Sequence, residues 1–243
     1  MTTYPRTVQA SRWILLACVA GCGSSGAVDP VGPNVCVDAT DLAYCNDFDL
    51  PTPEQAVVPF GFAEFLGGEL TEVVVIAENG NRGISMRGEG AVFGQSAASP
   101  IGSATSASIE ATIQPFETAP GKSLTLGMIL LDGSSSLGRQ VWVVAHADHT
   151  LTVDALGISL PTTGTLDPDG LTTVRMTATW MTGGADISLD VLAGPPGSEL
   201  APILEDHVID LAPPPELSCS IAIISLEPGV RRFVFDNVTL ELR

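Results

Sequence analysis

Strict alternation of apolar and polar residues, recurring from about residue 70 to the end, constrains this chain more than any other feature. In Asp186-Ile-Ser-Leu-Asp-Val191, an extended strand would carry Ile187, Leu189 and Val191 on one side and Asp186, Ser188 and Asp190 on the other. Val174, Met176, Ala178 and Trp180 oppose Arg175, Thr177 and Thr179 in the same way, and Ile109, Ala111 and Ile113 oppose Ser108, Glu110 and Thr112. Leu124, Leu126, Met128 and Leu130 make a wholly apolar face. A period of two turns one face to a core and the other toward water. Further strands are predicted at Leu70–Ala77, Gly83–Arg87, Arg139–Ala145, Leu151–Leu156, Ser218–Leu226 and Phe233–Leu242. The Gly-Asn, Asp-Gly, Pro-Gly and Gly-Gly pairs between these runs are turn chemistry, and no segment has a helical period. Many strands without helices predict an all-β fold, a two-sheet antiparallel β-sandwich of the jelly-roll kind.

The first 21 residues stand apart from this pattern. Arg6 and Arg12, with no acid near them, accompany the apolar run Trp13-Ile-Leu-Leu-Ala-Cys-Val-Ala20, which is too short to span a bilayer and reads as an export signal. Val19-Ala-Gly-Cys22 then stands where a secreted protein would carry an A-x-A cleavage site. Those four residues resemble the lipobox of bacterial lipoproteins. The resemblance implies that Cys22 becomes the first mature residue, with a diacylglycerol on its sulfur and usually a third chain on its amino group. Each buried methylene contributes about 0.8 kcal/mol, so two or more chains anchor stably where one does not. Ser24 is not the aspartate that the family associates with inner-membrane retention, which implies the outer membrane or cell surface. From Gly23 to Pro33 the chain is mostly small residues and reads as a flexible tether. The expected organisation is a signal over 1–21, a tether over 22–35 and one β-sandwich domain over 36–243.

All 28 acidic residues follow the signal, whereas two of the 10 Lys and Arg lie inside it. A formal net charge of −18 excludes binding to nucleic acid or anionic lipid heads through a basic patch. Beyond Cys22 the exported part keeps Cys36, Cys45 and Cys219, so an oxidising compartment leaves one over after a pair forms. Cys36 with Cys45 closes the shortest loop and is the expected disulfide. Cys45 with Cys219 is the alternative, between which the sequence does not choose.

The opening Tyr44-Cys-Asn-Asp-Phe-Asp49 and the closing Phe233-Val-Phe-Asp-Asn-Val-Thr-Leu240, with Ser108–Phe116 and Thr172–Val191 between them, resemble the concanavalin A-like lectin/glucanase superfamily, including its laminin-G-like domains. The resemblance spans most of residues 44–243 and implies a jelly roll whose first strand lies beside its last. That superfamily holds glycosidases, lyases, lectins and adhesion modules, so fold alone leaves function open. Within the closing strand, alternation puts Val234, Asp236, Val238 and Leu240 on one face, and a carboxylate among apolar neighbours needs a partner. With the first strand alongside, Asp47, Asp49, Asp236 and Asn237 would gather oxygens suited to a structural calcium ion. The competing expectation is that Asp236 accepts backbone N–H bonds at a turn.

Glucanases of this superfamily carry an E-x-D-x-E strand, which places two carboxylates on one face at the separation that retention requires. No such pattern occurs here. Glu110 stands alone on its strand, and Glu205 and Asp206 are adjacent, hence on opposite faces if extended. His146-Ala-Asp-His149 falls where a hairpin should turn and offers two imidazoles as ligands, although a turn calls for such residues anyway. Trp142 is the one candidate stacking platform for a sugar ring, with core packing as the competing expectation. The function expected is a lipid-anchored envelope module recognising carbohydrate or a surface partner, without evident catalysis. The alternatives are a structural envelope lipoprotein with no small ligand, or a carbohydrate-active enzyme whose site follows no recognised pattern.

Overall fold

The computed structural model describes residues 36, 41–48, 62–78, 81–117, 119–131, 139–181, 186–225 and 227–243. Cys22, its lipobox, the tether and Asp49 lie outside the described residues. Every regular element described is a strand: β1 (Leu42–Asn46), β2 (Phe62–Glu78), β3 (Asn81–Ser96), β4 (Ser99–Pro100), β5 (Ser106–Glu117), β6 (Lys122–Leu131), β7 (Arg139–His146), β8 (Thr150–Ala155), β9 (Ile158–Thr165), β10 (Thr172–Trp180), β11 (Asp186–Gly194), β12 (Ala201–Asp210), β13 (Glu216–Ile224) and β14 (Arg231–Leu242).

Pairing is antiparallel throughout; the strands run in the order β12-β11-β10-β5-β14-β3-β13-β6-β7-β8-β9, with β1 beside β14, β2 beside β3 and β4 beside β13 off this path. The path becomes two layers at β3. Its residues 84–88 pair with β14, whereas residues 91–95 pair with β13. Between them Gly90 has φ +87°, a conformation that L side chains avoid, and the strand turns there from one sheet into the other. The two ends of the path then meet, because the site of a Cβ on Gly164 in β9 lies 2.7 Å from the Ile203 side chain in β12. The fold is therefore an all-β antiparallel sandwich with its layers continuous through β3.

The alternating runs supply the core between the layers. Ile109, Ala111 and Ile113 from β5, Val174 and Met176 from β10, and Ile187, Leu189 and Val191 from β11 meet Leu126 and Met128 from β6, Val143 from β7 and Ile221 from β13. All are essentially inaccessible to water. β1 lies antiparallel to β14, with Tyr44 opposite Leu240 and Asn46 opposite Val238, so first and last strands are neighbours as the superfamily resemblance implies.

The closing strand corrects the alternation expected of it. β14 pairs Asp236 with Thr112 but Thr239 with Glu110, which leaves a bulge at Asn237-Val238, and Asn237 sits at φ +51°. A bulge exchanges the faces beyond it. Phe233 and Phe235 before the bulge, and Val238 and Leu240 after it, all enter the core, so Asp236 does not share a face with Val238 and Leu240.

Cys36 and Cys45 form a disulfide, and Cys219 is a free thiol buried in the core. Burial pushes the Cys219 thiol up to about 12, partly offset by its hydrogen bond with Ser96. Because the folded state holds the proton more tightly, this stabilisation is complete below the unfolded thiol's value of about 8.5. It is lost progressively as pH rises from there towards 12. Native protein at pH 8 is expected to leave Cys219 unalkylated by N-ethylmaleimide over minutes, with full labelling once urea unfolds it, as read by intact mass. Rapid native labelling would contradict a closed core at β13.

Candidate functional site

Outside the core, the sheet formed by the last part of β3 with β13, β6, β7, β8 and β9 carries a second, smaller apolar group. Ile129, Trp142, Val144 and Ala222 are buried there, with Phe93, Leu124, Leu131 and Ile224 packed around them. Ladder register explains the arrangement. Gly127 on β6 lies opposite Trp142 on β7, which lies opposite Asp154 on β8, so the three form a row on the face turned away from the core.

Trp142 is buried to 4% exposure, which corrects its reading as a stacking platform. Its six-membered ring occupies the space above Gly127, where an added Cβ would come within 2.4 Å of ring carbons. Its indole N–H donates to Gln140 Oε1 at 2.8 Å, so the polar end of the side chain is satisfied while the ring packs. What little of Trp142 is exposed contributes to a cleft of about 440 Å³ lined by Leu124, Arg139, Gln140, Trp142, Asp154, Leu156 and Gly157.

The cleft's wall is the two-residue β8–β9 turn. Ala155 pairs with Ile158, leaving Leu156 and Gly157 at φ +55° and +84°, the positive values that a tight hairpin turn demands. Asp154 Oδ1 accepts the Gly157 N–H at 2.9 Å, and the Leu156 N–H donates to the Gln140 carbonyl at 3.0 Å. The turn is thereby tied to β7 at the cleft's floor. Arg139 and Asp154 balance each other's charge beside the amide of Gln140, in a chain that is otherwise strongly acidic. Such a cleft can offer donors, acceptors and aliphatic surface to an uncharged polar ligand. Its size falls within the range of about 300–1,000 Å³ usual for small-molecule sites.

His146 and His149 do not form a ligand pair, which corrects that expectation. His146 Nε2 lies 3.0 Å from Thr152 Oγ1, and His149 sits at φ +67° with its N–H on the His146 carbonyl. Asp148 between them accepts both the N–H and the hydroxyl of Thr150, and the Thr150 bonds hold its carboxyl below the usual carboxylate range. The segment is an aspartate-stabilised turn. At the opening and closing strands, Asp236 is 2% exposed and its two oxygens accept from the backbone and side-chain nitrogens of Asn237 at 2.8 and 3.0 Å. That is the turn-type partnership expected as the competing reading. Asp47 is buried one residue beyond the last β1–β14 pair. Asp49, the fourth residue of the expected calcium set, lies outside the described residues, and among the described residues no three His, Cys, Asp or Glu side chains converge.

Sequence reasoning missed Arg139, Asp154 and Leu156 as neighbours of Trp142. One signal was available: a glycine inside the apolar run Leu124–Leu130 marks a close approach, here by the indole.

No family profile matches the chain, and no curated protein matches it by sequence. Among solved structures, it is similar to the cellulose induced protein Cip1 at 10% identity and a TM-score of 0.48, over 81% of this chain and 96% of that one. It is also similar to the winged bean acidic lectin complexed with methyl-α-D-galactose, at 10% identity and a TM-score of 0.44, over 76% and 97%. A Trypanosoma rangeli sialidase mutant displaying trans-sialidase activity aligns at 17% identity and a TM-score of 0.45, over 74% of this chain but only 30% of the sialidase.

Proposed function

We propose that the protein is a lipid-anchored module of the bacterial cell envelope that binds a carbohydrate in the cleft beside Trp142. The observation that carries the reading is the cleft itself, where Arg139, Gln140 and Asp154 stand beside Leu124, Leu156 and Trp142. Saccharides present hydroxyls at their rims and C–H groups on their faces, and this lining answers both. The Val19-Ala-Gly-Cys22 lipobox and the small-residue tether after it support placement at a membrane, with the domain held within a short reach. The acidic surface keeps such a domain away from anionic headgroups. No helix among the described residues is long and apolar enough to cross a membrane.

The test uses the full chain and its Cys22→Ala variant. Wild type is expected in the membrane fraction and the variant in the soluble fraction. Both are expected to bind saturably on a glycan array and to insoluble polysaccharide, equally in calcium and in chelator. Arg139→Ala, at an exposed residue of the cleft rim, should weaken that binding about 10-fold, near 1.4 kcal/mol. Absence of glycan binding would move the reading to a structural or protein-partner role. Binding that ignores Arg139→Ala would move the ligand away from this cleft.

A further inference from the structure

Leu156 occupies a backbone conformation that a leucine does not favour, and its side chain lines the cleft beside Leu124. At φ +55° a branched side chain crowds the backbone, whereas asparagine or glycine accepts this position readily. The hydrogen bonds that build the turn use the Leu156 N–H, the Gly157 N–H and the Asp154 carboxylate, none of which depends on the leucine side chain. That side chain is 37% exposed, and Ile158 beside it is 65% exposed. Of the large hydrophobic residues exposed among the described ones, these two alone sit within three positions of each other, at one hairpin tip.

A large apolar residue that strains its turn while lining a cleft points to a use outside the fold. Because Trp142 is sunk against Gly127, the aliphatic surface at the cleft mouth comes from Leu156 with Leu124. The charges in the cleft cancel within it, and the net charge of −18 repels polyanions. From these observations we infer that Leu156 is the ligand-contacting clamp of the cleft, and that it closes on the C–H face of an uncharged hexopyranose chain. The inference rests on the carbohydrate-binding reading and deepens it, by naming the contact and excluding uronic-acid polymers.

The decisive variant is Leu156→Asn, because it separates stability from binding in opposite directions. Relief of the turn should raise Tm by about 2–4 °C for a domain of this size. Loss of the aliphatic contact should weaken binding of neutral hexasaccharides at least about 10-fold. The probes are cello-, manno- and galacto-hexaose, with oligogalacturonate as the charged comparison, read by calorimetry on the full-length Cys22→Ala protein. Leu156→Met, which restores aliphatic surface, should retain wild-type affinity within about threefold. If Leu156→Asn raises Tm and leaves neutral-sugar affinity unchanged, the clamp is overturned while the carbohydrate reading stands. A lower Tm would make Leu156 a packing residue and also overturn the clamp. Preferential binding of oligogalacturonate would overturn the uncharged class, and no binding of any probe by wild type would overturn clamp and carbohydrate reading together.

Discussion

Arg231→Ala is expected to lower the unfolding free energy by about 3–5 kcal/mol, because three carbonyls lose their donor at once. Arg231 opens β14 and is 2% exposed, an unusual position for a cation. Its guanidinium donates to the carbonyls of Glu227 at 3.1 Å, Gly229 at 2.9 Å and Pro120. These acceptors come from two connections, β5–β6 and β13–β14, so one side chain ties together loops separated by more than a hundred residues. The Glu227 carboxylate reinforces the junction from outside. It accepts from Ser225 Oγ and the Lys122 N–H, and those bonds, with the Ser225 contribution first, hold its carboxyl below the usual range. Arg231→Lys keeps the charge but not the planar fork, and it should recover less than half of the loss. Urea unfolding would show the midpoint falling at constant slope, and hydrogen exchange would quicken at residues 121–123. An alanine variant within about 1 kcal/mol of wild type would show that the loops close without this cation.

Where a strand buries one face and wets the other, the sequence announced it. The runs at 108–113, 124–130, 174–180 and 187–191 all lie within strands, and the apolar faces read from them enter or pack against the core, except that a register shift between Leu124 and Leu126 turns Leu124 to the outer group beside Trp142. β9 and β12 were not foreseen, for a common physical reason. They end the hydrogen-bonded path, and along Ile158–Thr165 and Ala201–Asp210 most side chains meet water on both faces. Such edges need no alternation and are marked instead by Pro161, Pro202 and a bulge around Glu205-Asp206. Register within β14 was illegible because one residue, Asn237, exchanges the faces of everything after it. The candidate site was legible only as isolated residues. Trp142 stood out by type, but its burial depends on a glycine one strand away, and Arg139, Asp154 and Leu156 join it only through ladder register. The proposed lipid attachment is the opposite case, since only the local motif Val19-Ala-Gly-Cys22 speaks for it and those residues lie outside the described ones.

The interlock between Gly127 and Trp142 predicts a sign reversal in a double-mutant cycle. Trp142→Ala removes a buried indole and should cost about 3–5 kcal/mol. Gly127→Ala places a methyl 2.4 Å from the ring, closer than real contacts allow, so the indole must leave its seat or β6 must shift. Overpacking of that kind costs about 1–3 kcal/mol. The ring cannot move without breaking its 2.8 Å bond to Gln140 and opening the group formed with Ile129, Val144 and Ala222. In the Trp142→Ala background the obstacle is gone. The same Gly127→Ala change then only stiffens the unfolded chain and should stabilise by about 0.4–1 kcal/mol. The coupling between the two positions therefore amounts to about 1.4–4 kcal/mol, far above the few tenths expected of independent sites. Thermal and urea unfolding of the four proteins would measure it, with tryptophan fluorescence reporting whether Gly127→Ala drives the indole into water. Additive changes would mean that the ring does not rest on Gly127, and the cleft's floor would have to be drawn without it.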